Sequence, residues 1–297
     1  MTAEVVLAVD VGGTKTLLGL VDAAGTVLAE HRIATVQAGS PLDDLGRVRQ
    51  AVLEFVPESA RFGRLVGAAA GFPEYVHPDG RLLSHEVLTW SEQPDRALTA
   101  ALAEAGFVDV RVRVDSDVRL GARGEAWIGA GRGLGSFLYV SLGTGLSSTL
   151  VLDSVPWAGA RGSAIGFGEW PAPSVAGEAP VRNLERFASG AGIGERYLAL
   201  TGEPRTTKEL SERLDPVALA VLSSAGAALG SALATLERVL DPEAFVLGGG
   251  LGAGDGPLHA ALAASRRDEG GTAPLITADL GARSGLLGAA ALAWSAR

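Results

Sequence analysis

Val5-Val6-Leu7-Ala8-Val9-Asp10-Val11-Gly12-Gly13-Thr14-Lys15-Thr16-Leu17-Leu18-Gly19-Leu20-Val21-Asp22 sets two short apolar runs on either side of a Gly-Gly-Thr turn. Runs of this length bounded by glycine read as strands, and so short a turn makes them an antiparallel pair. After Ala24-Gly25, residues 26–33 alternate enough to add a third strand. One such hairpin carries little information, because Gly-Gly also closes ordinary hairpins.

The pattern returns. Shifted by 131 residues, Leu7-Ala8-Val9-Asp10-Val11-Gly12-Gly13-Thr14 lies over Leu138-Tyr139-Val140-Ser141-Leu142-Gly143-Thr144-Gly145, and Val21-Asp22 over Leu152-Asp153. Identity is low, yet both copies run strand, Gly/Thr turn, strand, which reads as a duplication. Outward from the first copy, helical spacing covers 41–56, 93–105 and 118–128, with buried strands at 64–72 and 108–114. Around the second copy, strands are expected at 136–142, 147–152, 155–158 and 244–247, and helices at 184–200, 216–240 and 284–294. The alternation predicts an α/β protein with duplicated mixed β-sheet domains. Residues 1–116, completed by the C-terminal helix 284–297, form the expected first lobe, and 117–283 the second.

With 297 residues, 47% of them hydrophobic, the chain is long enough for two cores. The net charge is −9 and only Lys15 and Lys208 are lysines, so no basic stripe exists for nucleic acid. There is no cysteine, which removes disulfides, thiolate chemistry and Cys-ligated zinc. The histidines at 31, 77, 85 and 259 have no metal-ligand spacing. No signal peptide is visible at the N-terminus, and a cytoplasmic location is expected. The uncharged stretch 216–236 could span a bilayer by length, but Asp215-Pro216 starts it as a capped helix. Its small residues, Gly226 and Gly230 among them, suit close packing in a protein core, so no membrane is expected.

Two Gly/Thr turns facing one cleft would offer backbone N–H groups without Cβ obstruction, enough to grip a polyphosphate from two sides. The candidates are Gly12, Gly13, Thr14 and Lys15, then Gly143, Thr144 and Gly145, with a third glycine run at Gly248, Gly249 and Gly250. A Walker spacing is missing. Asp10 reads either as an outer-sphere ligand of Mg²⁺, through water, or as a cap on its turn. Asp117 reads either as a helix N-cap or as the general base for a substrate hydroxyl.

An ordered set of segments then resembles the ROK family (repressor, open reading frame, kinase) of sugar kinases, from about residue 5 to 293. It comprises Asp10-Val11-Gly12-Gly13-Thr14-Lys15, Gly67-Ala68-Ala69-Ala70-Gly71-Phe72-Pro73, Val114-Asp115-Ser116-Asp117 with Gly124-Glu125, and Gly143-Thr144-Gly145. Gly159-Ala160-Arg161-Gly162, Leu184-Glu185-Arg186-Phe187-Ala188-Ser189-Gly190, Val246-Leu247-Gly248-Gly249-Gly250 and Gly285-Leu286-Leu287-Gly288-Ala289-Ala290 complete it. The resemblance implies the two-lobed actin-like ATPase (ribonuclease H-like) fold with an interlobe cleft. It also implies ATP with Mg²⁺, a sugar-like small-molecule substrate, and a homodimer. Asp117 takes the place of the base, the first loop and Gly143-Thr144-Gly145 hold phosphates, and Gly248–Gly250 approaches the nucleotide. Glu185 then contacts the sugar, against its alternative as a surface helix residue.

The departures from the family pattern matter as much. Ser116 stands where the family has Asn beside the base. Aligned without gaps, the usual sugar-binding Glu becomes Gly166 and the His becomes Glu169, and 171–183 has no cysteine. Zinc is therefore not expected. Ser116, Asp117, Glu169 and Glu185 make the candidate substrate set, and the losses favour a sugar-like polyol such as a carbocyclic cyclitol over glucose. A repressor reading is disfavoured by the charge and by a first strand that begins near residue 5. A non-catalytic sensor is the alternative reading, and a polyphosphate donor would need a basic track.

Overall fold

The computed structural model describes residues 3–36, 40–213 and 215–295. Contacts divide the chain into two compact units. The first comprises residues 1–132, 154–164 and 283–297, and the second 133–153 and 165–282. The division expected at 116/117 thus falls after Arg132. The reason is α3 (Asp117–Ile128), which packs on the C-terminal helix α9 (Ser284–Trp294) inside the first unit. A Cβ on Gly288 would stand 1.7 Å from the Leu120 carbonyl oxygen, so only glycine permits that approach. Residues 296–297 of the expected terminal helix lie outside the described residues.

In the first unit the sheet order is β3 (Val27–Ala34), β2 (Lys15–Val21), β1 (Glu4–Val11), β4 (Arg64–Phe72), β5 (Val112–Ser116). β1 pairs antiparallel with β2 and parallel with β4, and β4 pairs parallel with β5. β1 is central and buried on both faces, which is why its sequence is a near-continuous apolar run. Val5, Leu7 and Val9 join one core with Val48 and Val52 of α1 (Asp44–Phe55) and Leu98 and Leu102 of α2 (Pro94–Glu104).

In the second unit β6 (Ser136–Leu142) pairs antiparallel with β7 (Leu146–Leu152) and parallel with β9 (Ala244–Gly248), which pairs parallel with β10 (Leu275–Thr277). This repeats the β2-β1-β4-β5 arrangement, and the offset of 131 carries the start of β2, Lys15, onto the start of β7, Leu146. The third strand expected at 155–158 shrinks to β8 (Val155–Pro156). The helix expected over 184–200 is two, α4 (Leu184–Ala188) and α5 (Gly190–Thr201). Ser189 leaves the helical conformation and its hydroxyl accepts from Gly192 N at 3.2 Å, capping α5.

Sequence reading also missed α6 (Thr207–Arg213) and α8 (Pro257–Asp268). α7 (Pro216–Leu240) is long and apolar enough to cross a membrane. Its buried residues, Ala218, Val221, Leu222, Ala225, Gly226, Leu229, Gly230, Leu233 and Ala234, form one stripe of helical period, spent on the protein core. Cβ atoms on Gly226 and Gly230 would lie 2.1 and 2.3 Å from the Leu258 and Leu262 carbonyl oxygens of α8, the close packing expected of those glycines.

Candidate active site

Three carboxylates gather at the carboxyl ends of β1, β4 and β5, where parallel strands of α/β proteins present their chemistry. Asp10 is the penultimate residue of β1, Glu74 follows β4 by two residues, and Asp117 directly follows β5.

Ser116 occupies the N-cap of α3: it is fully buried and its Oγ accepts from Arg119 N at 3.4 Å. Asp117 is therefore the first helical residue and not the cap, and the Ser116 hydroxyl caps α3. The Asp117 Oδ1 accepts from Val118 N at 2.7 Å. Burial raises its carboxyl to about 7, and the neighbouring Asp10 carboxylate adds to this. The Val118 N–H and Arg119 oppose the rise, and Glu74 adds a smaller upward push. Burial likewise lifts Asp10 to about 6 against the pull of Lys15. A Cβ on Gly285 would come within 2.5 Å of Asp10 Oδ1, so the first turn of α9 closes on this carboxylate.

Glu74 was not foreseen. It is 3% exposed, and it accepts from Val87 N and Leu88 N through Oε1, at 2.9 Å each. Its Oε2 accepts from Glu86 N at 2.9 Å and from the Ser84 hydroxyl. Burial pushes its pKa up, but these four donors outweigh it and hold Glu74 below the usual glutamate range. The clasp fixes segment 84–88, whose Val87 would stand 2.9 Å from a Cβ on Gly13. The first turn is closed by Gly12 N donating to Lys15 O at 2.9 Å, with Thr14 and Lys15 exposed.

Arg119 was also missed. It is buried, pairs with Asp115, and donates to Val76 O at 2.7 Å and Gly162 O at 3.1 Å. Gly162 lies in left-handed backbone with its α-carbon pressed on Val76, so Arg119 ties segment 159–162 to the chain that follows Glu74.

In the second unit the Gly143-Thr144-Gly145 turn is closed by Gly143 N donating to Gly145 O at 3.0 Å. It meets the start of α5 through Gly190 N to Gly143 O at 2.8 Å and Ala191 N to Thr144 O at 3.1 Å. Gly249 has φ +79° and would put a Cβ 2.4 Å from Leu142 O, so the 248–250 run folds directly against the turn. Around them lies a cavity of about 660 Å³, lined by Gly143, Thr144, Gly190, Ala191, Lys208 and Gly250 among others. Lys208 in this wall had no expected role.

Glu185 lies beside the same turn. Its Oε2 accepts from Leu146 N at 2.8 Å and would stand 2.9 Å from a Cβ on Gly145. One oxygen of the expected sugar ligand is thus spent on the turn. Glu169 ends a short 3₁₀ turn, Gly166–Glu169, and is exposed. Among the described residues no group of three or more His, Asp or Glu side chains is arranged to hold a metal by itself.

Residues 6–296 match the family model described as ROK family. Over 293 residues the chain is 31% identical to the bifunctional enzyme NanE/NanK of Brucella melitensis, covering 97% of this chain and 54% of that protein. It thus spans about half the length of that relative. It is 28% identical over 304 residues to the N-acetylgalactosamine kinase AgaK of a Shewanella species, with 95% and 94% covered. Among solved structures it is similar to the ROK hexokinase from Thermus thermophilus, at TM-score 0.80 and 27% identity over 98% of each chain. It is also similar to a ROK family glucokinase from Streptomyces griseus in complex with glucose and AMPPNP. That match has TM-score 0.77 and 26% identity over 98% of this chain and 99% of the other.

Proposed function

The chain belongs to the ROK family, and from that premise we propose that it is an ATP-dependent kinase. It transfers the γ-phosphoryl group to a hydroxyl of a sugar or sugar-like polyol. The observation that carries this reading is Asp117: a carboxylate at the start of α3, relieved of capping by Ser116, with its pKa raised to about 7. A base that titrates near neutrality can take a hydroxyl proton and remain substantially ionised beforehand.

The second unit supplies the elements suited to nucleotide. Gly143 and Thr144 of its turn, Gly250, and Gly190 and Ala191 at the start of α5 line one cavity, and a Cβ on Gly250 would meet nothing within 4 Å. In the first unit, Gly12, Gly13, Thr14 and Lys15 form a glycine turn of the kind that binds phosphate.

Asp10 fits a Mg²⁺ bound through water. It is a carboxylate raised by burial, so a nearby divalent cation would favour its ionised form. That ion would supply charge neutralisation on the phosphates. Glu169 and Glu185 remain the acidic candidates for substrate hydroxyls, and a cyclitol fits the altered 166–169 segment better than glucose does. This reading places the enzyme in the cytoplasm.

The experiment is phosphate transfer from ATP to a panel of hexoses, amino sugars and cyclitols, run with wild type and Asp117→Asn. Turnover of at least one acceptor that collapses in the variant supports the reading. ATP binding without any acceptor turnover would replace it with a non-catalytic sensor.

A further inference from the structure

A cavity of about 300 Å³ lies within the first unit, bounded by β5, the turn at 77–80, the start of α2 and Arg123 from the middle of α3. Its walls include His77, Asp95, Arg113, Asp115 and Arg123. Among the described residues four buried side-chain atoms lack a hydrogen-bond partner, and two of them, Asp95 Oδ1 and Arg123 Nε, belong to this wall. Buried polar atoms are rarely left so, and two at one cavity point to something that answers both.

The charges around it are unevenly matched. Asp115 is engaged by Arg119, and Asp79 by Arg81 and His77. Arg113 donates to Leu292 O and Ser295 Oγ, both at 3.1 Å, and pairs with no carboxylate among the described residues. Arg123 likewise makes no ion pair among the described residues. Burial works against its charge, Asp115 supports it, and Arg113 and Arg119 add like charge. Two guanidinium groups thus face the space with no ion pair of their own among the described residues, Asp115 being engaged by Arg119, against one carboxylate, Asp95, without a donor.

We propose that this cavity binds a small hydroxylated oxyanion, its anionic group held by Arg123 and Arg113 and a hydroxyl donating to Asp95. A bare anion would answer the arginines and be repelled by Asp95. A neutral polyol would answer Asp95 and leave the positive charge uncompensated. Phosphate and carboxylate share the required chemistry. The proposal does not depend on the kinase reading, because Asp10, Asp117 and the glycine turns are not among the lining residues.

Calorimetric titration of the full chain with glycerol 3-phosphate, glycerate and inorganic phosphate tests it. A hydroxylated anion should bind more tightly than inorganic phosphate, and whichever of the two binds better identifies the anionic group. Arg123→Gln should weaken that binding about tenfold or more, the equivalent of one charge-assisted hydrogen bond. Asp95→Ala should weaken the hydroxylated anion more than it weakens inorganic phosphate. If Arg123→Gln does not fold, Arg113→Gln, at an exposed position, should show the same loss. Absence of binding by all three probes, or affinities unchanged in these variants, would overturn the proposal and leave the cavity to water alone.

Discussion

Ser116 and Asp117 divide the start of α3 between them: the Ser116 hydroxyl caps the helix, and the Asp117 carboxylate, one residue on, bonds the Val118 N–H at 2.7 Å. The helix therefore does not need the acid. Asp117→Asn should keep nucleotide binding, fold without loss of thermal stability, and lose turnover by about 10²–10⁴-fold, the usual worth of a general base. Ser116→Ala should instead cost about 1 kcal/mol of stability. Steady-state kinetics and denaturant melts on both variants separate the roles. Full activity in Asp117→Asn would remove the assigned base.

The pair Asp10 and Asp117 makes a pH prediction with a definite sign. Both carboxyls are raised in the folded chain, to about 6 and about 7. Between the unfolded carboxyl pKa and these values, the folded state holds more protons than the unfolded state. Stability therefore falls as pH rises through that window, about 4 to 7. Asp117→Asn should raise the melting temperature of the ligand-free protein at pH 8 and change it little at pH 4. Carbon-detected titration should place Asp117 near 7, and Asp10→Asn should lower it. An Asp117 that titrates in the ordinary carboxylate range would contradict the clustering.

How legible this was in the chain varied with the range of the interaction. The hairpin pair was legible because strand, turn and strand are local, and the offset of 131 joins the same strand boundaries. The helix at 216–240 was legible from Asp215, a side-chain cap written just before Pro216. By contrast, α8 has Gly256 at its N-cap with no side-chain bond, after a glycine-rich run, so Pro257 alone marks its start and reads as one more turn residue. The break at Ser189 was hidden because one residue ends α4 and begins α5 without a helix-breaking side chain. Glu74 and Arg119 escaped for another reason. Each is defined by partners 10 to 14 and 43 positions away, and an isolated Glu or Arg has no sequence mark of burial.

Glu74 carries the third prediction. Its two oxygens receive three backbone N–H groups and one hydroxyl. Glu74→Gln keeps the shape but turns an NH₂ toward donors, so at least one buried donor loses its acceptor. The cost should be about 1–3 kcal/mol, seen in denaturant melts. Segment 84–88 should loosen as well, seen as faster amide exchange at Glu86, Val87 and Leu88. Unchanged exchange there would mean that the segment is held by something other than this carboxylate.

The fourth prediction concerns the acceptor. Gly168 would place a Cβ 2.5 Å from the Leu146 carbonyl oxygen, so the turn 166–169 is pressed against β7 with no room for a side chain at that point. Gly166 likewise offers no carboxylate, which leaves the exposed Glu169 as the acid of this segment. A glucose hydroxyl left without its ionised partner loses about one charge-assisted hydrogen bond, roughly 10–100-fold in affinity. A polyol that does not present that hydroxyl loses nothing. Cyclitols should therefore be turned over with higher kcat/KM than glucose in a competition assay read by phosphate transfer from ATP. Glu169→Gln should raise the acceptor KM and leave the nucleotide Kd unchanged if this carboxylate meets the substrate. Efficient glucose turnover that Glu169→Gln does not alter would return the chain to an ordinary hexose kinase and take Glu169 out of the site.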